Sequence, residues 1–435
     1  MIIAPPKVKR TTASFSIQQP AILKQQMLSW ANRFNICSFL DNHQYPSTWQ
    51  TVECLVAAGA VNVFSAEKNI LPQLTAFYKN HTDWLFGHIN YDLKNEIEHL
   101  HSSHADHVGF PDIFFFQPEI ILQLAKDQLT ISSLTKDPKI IFEEITNSPW
   151  ASYHGPCTVS IEARITKEEY LNTVRQLLKH MQRGDCYELN FCQEFFATEV
   201  VIDPLSVYEQ LTAISPNPFS CFYKLDNRYV LCASPERYLQ KKGNTITSQP
   251  IKGTFKRNTE NKEADNRLKQ QLQQSEKDRS ENVMVVDLVR NDLSKVCKEG
   301  TVKVDELFGV YSFPQVHQMI STISGELKEG VEFSDILSAT FPMGSMTGAP
   351  KRRVMELIEQ YEKTKRGIYS GAVGYINPAK DFDFNVVIRS ILYNANEQYL
   401  SYLVGGGITF YSDPEKEYEE CLLKAEAIKK VLQGM

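Results

Sequence analysis

The 435-residue chain has no run of 18 consecutive apolar residues, so no membrane-spanning helix is expected. It has no excess of positive charge either. Its 46 Lys and Arg face 52 Asp and Glu, a net charge of −6, and nothing implies a nucleic-acid or other polyanion partner. The nine cysteines are odd in number and contain no Cys-x-x-Cys pair. That argues against a disulfide framework or a zinc site and fits a reducing, cytoplasmic setting. Cys37, Cys221 and Cys232 lie among apolar residues and read as core thiols. The Met1–Arg10 segment carries two prolines and three basic residues, with no signal-type apolar stretch behind it. There is no nucleophile elbow, no P-loop and no dinucleotide fingerprint, which removes three common enzyme classes.

What is present is an ordinary globular composition, 42% hydrophobic and 23% charged, able to bury a sizeable core. Residues 1–155 read as mixed strands and short helices, with strands at Phe34–Leu40, Val61–Ser65 and Trp84–Tyr91. His101, His104 and His107 share a polar loop, either a metal cluster or a solvated turn. Helical spacing of Tyr170, Val174, Leu177, Leu178 and Met181 predicts a helix over 166–182, and Cys186–Thr198 predicts a strand. Asp226-Asn227 supplies the turn between strands Phe219–Tyr223 and Tyr229–Ser234. The polar stretch 256–282 reads as a solvated loop leading into a helix. A further helix spans 350–361, strands follow at Gly371–Ile376, Asn385–Leu392 and Tyr399–Val404, and the chain closes on one helix over Pro414–Leu432.

Several residues are of a type that carries chemistry. Lys252, in Pro250-Ile251-Lys252-Gly253-Thr254, is either a surface cation or a nucleophile. Asp278 and Glu281, and again Glu417 and Glu420, are spaced three apart, which places each pair on one helix face. Two such faces could enclose a magnesium ion, or could each be solvated. Gly405-Gly406-Gly407 follows a strand and offers amides to an anion, or makes a tight turn. Arg389 ends an apolar strand and needs a carboxylate partner, from a substrate or from the protein. Glu236 is a general acid if burial raises its pKa, or an ion-pair partner of Arg237. The segment Phe341–Lys351 leads into a helix N-terminus, an anion site or a capped start. These residues together suggest a magnesium-assisted enzyme acting on a small anion.

The motifs resemble those of the chorismate-utilising enzymes. The resemblance runs over most of 156–430, through Gly184-Asp185-Cys186-Tyr187-Glu188-Leu189-Asn190, Ser234-Pro235-Glu236-Arg237, Pro250–Thr254 and Val286–Asp292. It continues through Gly344–Lys351, Gly371–Tyr375 and the triple glycine. It implies an α+β fold of two large, mostly antiparallel sheets packed together, with helices outside. Residues 1–155 would form the N-terminal part of that scaffold and 156–435 the chorismate-binding catalytic domain. Lys252 resembles the lysine of the branch that replaces the C4 hydroxyl of chorismate by an amino group, giving 4-amino-4-deoxychorismate for 4-aminobenzoate and folate. Anthranilate synthases, which aminate C2 and release pyruvate, typically have alanine there. The implied route is attack of Lys252 on ring carbon C2 with loss of the C4 hydroxyl, protonated by Glu236, followed by ammonia at C4.

The resemblance further assigns magnesium to Glu281 and Glu420, with Asp278 and Glu417 as an outer pair. It assigns substrate binding to Tyr369, Arg389, Gly405 and Gly407, and to Ser345. A free lysine, with a pKa around 10.4, is protonated at neutral pH; burial and a nearby divalent cation are expected to lower that value. The chain shows no Gly-x-Cys-x-Gly-like elbow, so ammonia would come from a separate glutaminase subunit. Two positions depart from the family pattern. Gln318 stands where many members have histidine, with His317 before it. Glu188 stands where isochorismate and salicylate synthases have a water-activating lysine and amine-adding members usually have glutamine. The missing lysine counts against water as the nucleophile.

Overall fold

The computed structural model describes residues 9–45, 52–149, 158–313 and 316–434. The expected boundary at 155 and most of the Met1–Arg10 segment lie outside them. The strands form one hydrogen-bonded network with two wings, and the pairs along both wings are antiparallel. The first wing runs Glu188–Ala197, Tyr399–Thr409, Ser390–Asn394, Arg228–Ser234, Phe219–Leu225, Ile36–Asp41 and Cys54–Ser65. The second runs Leu85–Ile89, Ala372–Ile376, Phe382–Val386, Arg237–Lys242, Thr245–Gln249 and Val316–Glu326. The last of these also pairs with Ile251–Lys256 and Lys303–Ser312. The 13-residue strand Ile113–Ala125 pairs with both Cys54–Ser65 and Leu85–Ile89 and so joins the wings.

Successive residues of a strand point to opposite faces, and the first wing uses both. Cys221, Tyr223, Val230 and Cys232 pack with Phe86, Tyr238 and Phe384 of the second wing and with Phe115 of the joining strand, which is the core between the sheets. Their neighbours Phe222, Leu231 and Ala233 face a second core, shared with Trp30, Tyr170, Leu357 and Cys421 on the helices outside. The two-sheet α+β expectation therefore holds. The eight described cysteines are free and buried, as core thiols should be. Among the described residues no helix is long and apolar enough to cross a membrane.

The helix Lys167–Gln182 begins with a reciprocal capping box. Thr166 Oγ1 accepts from the Glu169 amide and Glu169 accepts from the Thr166 amide. Four local expectations need correction. In the stretch 256–282 the loop is confined to 257–261, and two helices follow rather than one: Asn261 caps Lys262–Gln274, and Ser275 ends it and caps the next, Glu276–Val296. Asn385–Leu392 is two strands, because the chain crosses from one wing to the other at Val387–Arg389, where Arg389 has φ +52°. The triple glycine lies inside strand Tyr399–Thr409 rather than after it. The C-terminal helix breaks at Ala425 into Pro414–Lys424 and Glu426–Leu432. The histidine loop forms no metal cluster: His104 bonds the Glu359 carbonyl, His107 packs on Tyr399, and no metal-holding group of three side chains occurs among the described residues.

Candidate active site

Lys252 is buried and aimed by a local irregularity. Its strand, Ile251–Lys256, loses register with Val316–Glu326 between Ile251 and Thr254, and Gly253 there has φ +90°. A bulge with a left-handed glycine re-aims the side chain beside it. The ammonium reaches Glu188 Oε1 at 2.6 Å, and Glu188 is itself only 3% exposed. Both lie against Gly407, where a Cβ would come within 2.6 Å of Lys252 Nζ and 3.0 Å of Glu188 Oε1. Lys252 is thus no surface cation. The expected depression of its pKa is also absent. Burial alone pulls the value down, but the fields of Glu188 and Glu281, the Glu188 hydrogen bond and Glu236 outweigh it, and the net shift is upward.

Glu236 is buried in the link between strands Arg228–Ser234 and Arg237–Lys242. Burial raises its pKa to about 7, against the pull of Ser345, Lys252 and Arg389. It is no partner of Arg237, whose guanidinium is taken by Asp383 and Gln249. Of the two readings of Glu236, the protonatable acid is the one the surroundings favour.

The two acidic helix faces do meet. Glu281 is buried, its pKa raised to about 7 chiefly by burial, and its Oε1 accepts no hydrogen bond. Glu417 is buried and accepts from the Ser412 hydroxyl at 2.8 Å. Glu420 is held low, at about 2, first by Lys424. The Lys277 ammonium lies 3.3 Å from Glu417, 3.8 Å from Glu281 and 3.9 Å from Glu420. Asp278 stands apart from this contact: it takes the Ser275 hydroxyl and packs under Gly253. No three of these carboxylates form a metal-holding group among the described residues, and the Lys277 ammonium lies between them; Glu281 and Glu420 offer two oxygen ligands, the number a magnesium ion that keeps most of its waters takes. Lys277 was not singled out from sequence, although its position four residues before Glu281 was a readable signal.

The remaining candidates line the same cavity, of about 110 Å³: Tyr369, Arg389, Gly405, Gly407 and Ser345, joined by Asn190, Lys424 and Gln318. Glu417 is not part of its wall. No hydrogen bond or ion pair within the described protein holds the Arg389 guanidinium, which excludes the structural salt bridge. Burial draws its pKa down to about 10, and Glu236 opposes this through its field. Gln318 is fully buried with both amide atoms unpartnered. A buried amide in that state is costly unless a ligand uses it. His317 instead bonds Ser312 and Asp265, away from the cavity. The cavity therefore presents a fixed cation, a buried protonatable acid and a buried amine to one small anionic molecule. A larger cavity, of about 270 Å³, lies elsewhere, between Asp41, Ser220 and Asn385, and holds none of these groups.

The sequence profile of a family described as chorismate binding enzyme matches residues 41–430. The chain is 36% identical over 354 residues to aminodeoxychorismate synthase component 1 of Klebsiella aerogenes, covering 80% of this chain and 76% of that one. It is 42% identical over 271 residues, or 62% of its length, to a probable chloroplastic aminodeoxychorismate synthase of Oryza sativa subsp. japonica, of which it spans 30%. The crystal structure of anthranilate synthase component I from Streptococcus pneumoniae TIGR4 superposes with a TM-score of 0.76 at 24% identity, over 88% of this chain and 94% of that one.

Proposed function

The chain belongs to the chorismate binding enzyme family, and from that footing we propose that it replaces the C4 hydroxyl of chorismate with an amino group, the activity named in its Klebsiella and rice relatives. The observation that carries this reading is Lys252. An amine is buried against the cavity at the position that separates this branch from the anthranilate synthases, with the buried acid Glu236 across from it.

Arg389 and Tyr369, with the backbone of Gly405 and Gly407, hold the enolpyruvyl carboxylate, and Arg389 is free to take it bidentately. Ser345 and Gln318 offer polar contacts to the ring. Lys252 attacks C2; the ring double bond shifts and the C4–O bond breaks. Hydroxide is a poor leaving group, so Glu236 gives its proton to that oxygen and water departs. A pKa of about 7 keeps a large part of Glu236 protonated at neutral pH. Ammonia then adds at C4 and the Lys252 amine leaves C2. Glu281 and Glu420, with Asp278 and Glu417 behind them, would hold magnesium, which supplies positive charge for the ring carboxylate. The name component 1 in the Klebsiella relative supports a separate glutaminase subunit as the ammonia source.

The test is product analysis. Protein, chorismate, magnesium and ammonium are combined and the products separated by mass. 4-Amino-4-deoxychorismate without pyruvate is expected; anthranilate with stoichiometric pyruvate, or isochorismate, refutes the proposal.

A further inference from the structure

An amine that attacks carbon must first lose its proton, and the surroundings of Lys252 hold that proton on. The groups facing its Nζ are Glu188 at the start of strand Glu188–Ala197, Glu281 on helix Glu276–Val296, and Glu236 in the link after Ser234. Glu420 and Lys277 lie at the rim of the same field, and Arg389 acts on Glu236. Among the described residues only Glu188 has a carboxylate oxygen within 4.0 Å of Nζ. The strand backbone at Gly407 packs against the pair, where a side chain would find no room. Lys252 is only 8% exposed, and the Glu188 carboxylate 2.6 Å away is the nearest group to take its proton. Glu236 is the wrong recipient, because it must arrive protonated at the leaving oxygen.

We propose that Glu188 is the general base of the reaction, taking a proton from Lys252 across the 2.6 Å contact as the amine attacks and returning it when the amine leaves. The proposal rests on the reading of Lys252 as nucleophile. The step balances. Lys252 ammonium, Glu188 carboxylate, protonated Glu236 and the ring C–OH become a Lys252 secondary ammonium on C2, protonated Glu188, Glu236 carboxylate and water. When ammonia displaces Lys252, the amine recovers its proton from Glu188, and the new C4 ammonium returns one to Glu236. The net change is chorismate plus ammonia to aminodeoxychorismate plus water, with no redox partner. A carboxylate suits this role where the amide usual in relatives does not: it accepts the whole proton rather than only a hydrogen bond. In a buried pair the transfer also removes two opposite charges from a low-dielectric site, which offsets part of its cost.

The experiment mixes protein with chorismate and magnesium but no ammonia, quenches at intervals, and follows the Lys252 adduct by intact mass and peptide mapping. Wild type, Glu188→Gln, Glu188→Asp and Glu188→Ala are compared, with chorismate binding measured in parallel to show that each variant is folded. Glu188→Gln keeps the hydrogen bond and cannot take the proton. It should bind chorismate normally and form adduct roughly 100-fold or more slowly at pH 7. The wild-type-to-variant rate ratio should shrink by about tenfold per pH unit as solvent base takes over. Glu188→Asp should retain part of the rate, and added formate should restore part of it to Glu188→Ala. A Glu188→Gln variant with the wild-type rate and pH profile, or a loss that does not vary with pH and is not rescued, overturns the base role while leaving Lys252 as nucleophile. Wild type that turns over chorismate without any adduct overturns both.

Discussion

Replacing Glu236 by glutamine should stabilise the fold and sharply slow turnover. The side chain is 4% exposed and burial lifts its pKa from 4.5 to about 7. The folded state thus binds this proton more tightly than the unfolded chain. The folded pKa lies above the unfolded one, so stability is lost as pH rises from about 4.5 and the penalty is complete above about 7. A shift of about 2.5 units corresponds to about 3 kcal/mol. Glutamine keeps the volume and never ionises. At pH 8.5 the variant should be more stable than wild type by up to about 3 kcal/mol, and at pH 5 by less than about 1 kcal/mol. With unfolding entropy near 2.1 cal/mol/K per residue, the larger figure moves Tm by roughly 3 °C. Thermal or urea unfolding of both proteins at each pH reads this difference, and the comparison at equal pH cancels every other titrating group. Catalysis should drop by roughly 100-fold or more, because the leaving hydroxyl loses its acid. A stabilisation equal at the two pH values, or a variant less stable at pH 8.5, would show that the acid is not raised and refute its assignment.

Arg389→Met removes a buried guanidinium that no protein group holds and that burial disfavours, so the fold should become more stable, by up to about 3 kcal/mol, while chorismate binding weakens by about 1.5–3 kcal/mol, read by calorimetry; unaltered affinity would exclude the carboxylate contact. Gly407→Ala places a methyl 2.6 Å from Lys252 Nζ. The flexible lysine end yields, so turnover should fall more than tenfold in steady-state assays while stability drops by only about 1 kcal/mol, near the small end of core overpacking. Gln318→Leu relieves a buried unpartnered amide and should stabilise the fold by about 1–3 kcal/mol in denaturation, at the expense of kcat/KM. Lys277→Met removes the cation shared by three carboxylates. Its thermal stability should fall without magnesium and recover on adding it, with tighter magnesium binding than wild type by calorimetry; magnesium-independent behaviour would dissociate Lys277 from the metal position.

Much of this arrangement was legible because its signals are local. The spacing of Asp278 and Glu281, and of Glu417 and Glu420, fixes each pair on a helix face whatever the tertiary fold, and the faces converge at Lys277. The helix over Lys167–Gln182 was readable from its period and its Thr166 start. What was missed depends on tertiary context. Lys262–Gln274 has few apolar residues, of which only Leu272 is buried, so composition alone resembled a loop. The break at Val387–Arg389 follows from a change of sheet, which no short window of sequence records. The same holds for Lys252. Its neighbours in sequence say nothing of Glu188, 64 residues away, yet that carboxylate is the largest of the charges that hold its proton on. Sequence spacing located the charges, but their net effect required knowing which ones share a cavity.

The cavity exists because one strand gives up its side chains. Gly405 and Gly407 share a face of strand Tyr399–Thr409 and both line the site. At Gly405 a Cβ would press within 2.2 Å of the Phe191 carbonyl in the adjoining strand, so that position is bare for backbone reasons. At Gly407 the space is filled by the Lys252–Glu188 pair, so that position is bare for chemical reasons. A Cβ at Gly406 would point the other way, 3.3 Å from Glu417 and 3.7 Å from Lys424, so its absence leaves room for the helix that carries the acidic face. Ordinary side chains at these three places would fill the cavity and separate the helix from the sheet. Three glycines weaken a strand through lost packing and added unfolded-state freedom. Here ten consecutive register pairs with Glu188–Ala197 hold the strand in place despite that loss. The same pairing sets Glu188 opposite Thr409, two residues beyond Gly407, so the register that supports the glycines also places the base next to the amine.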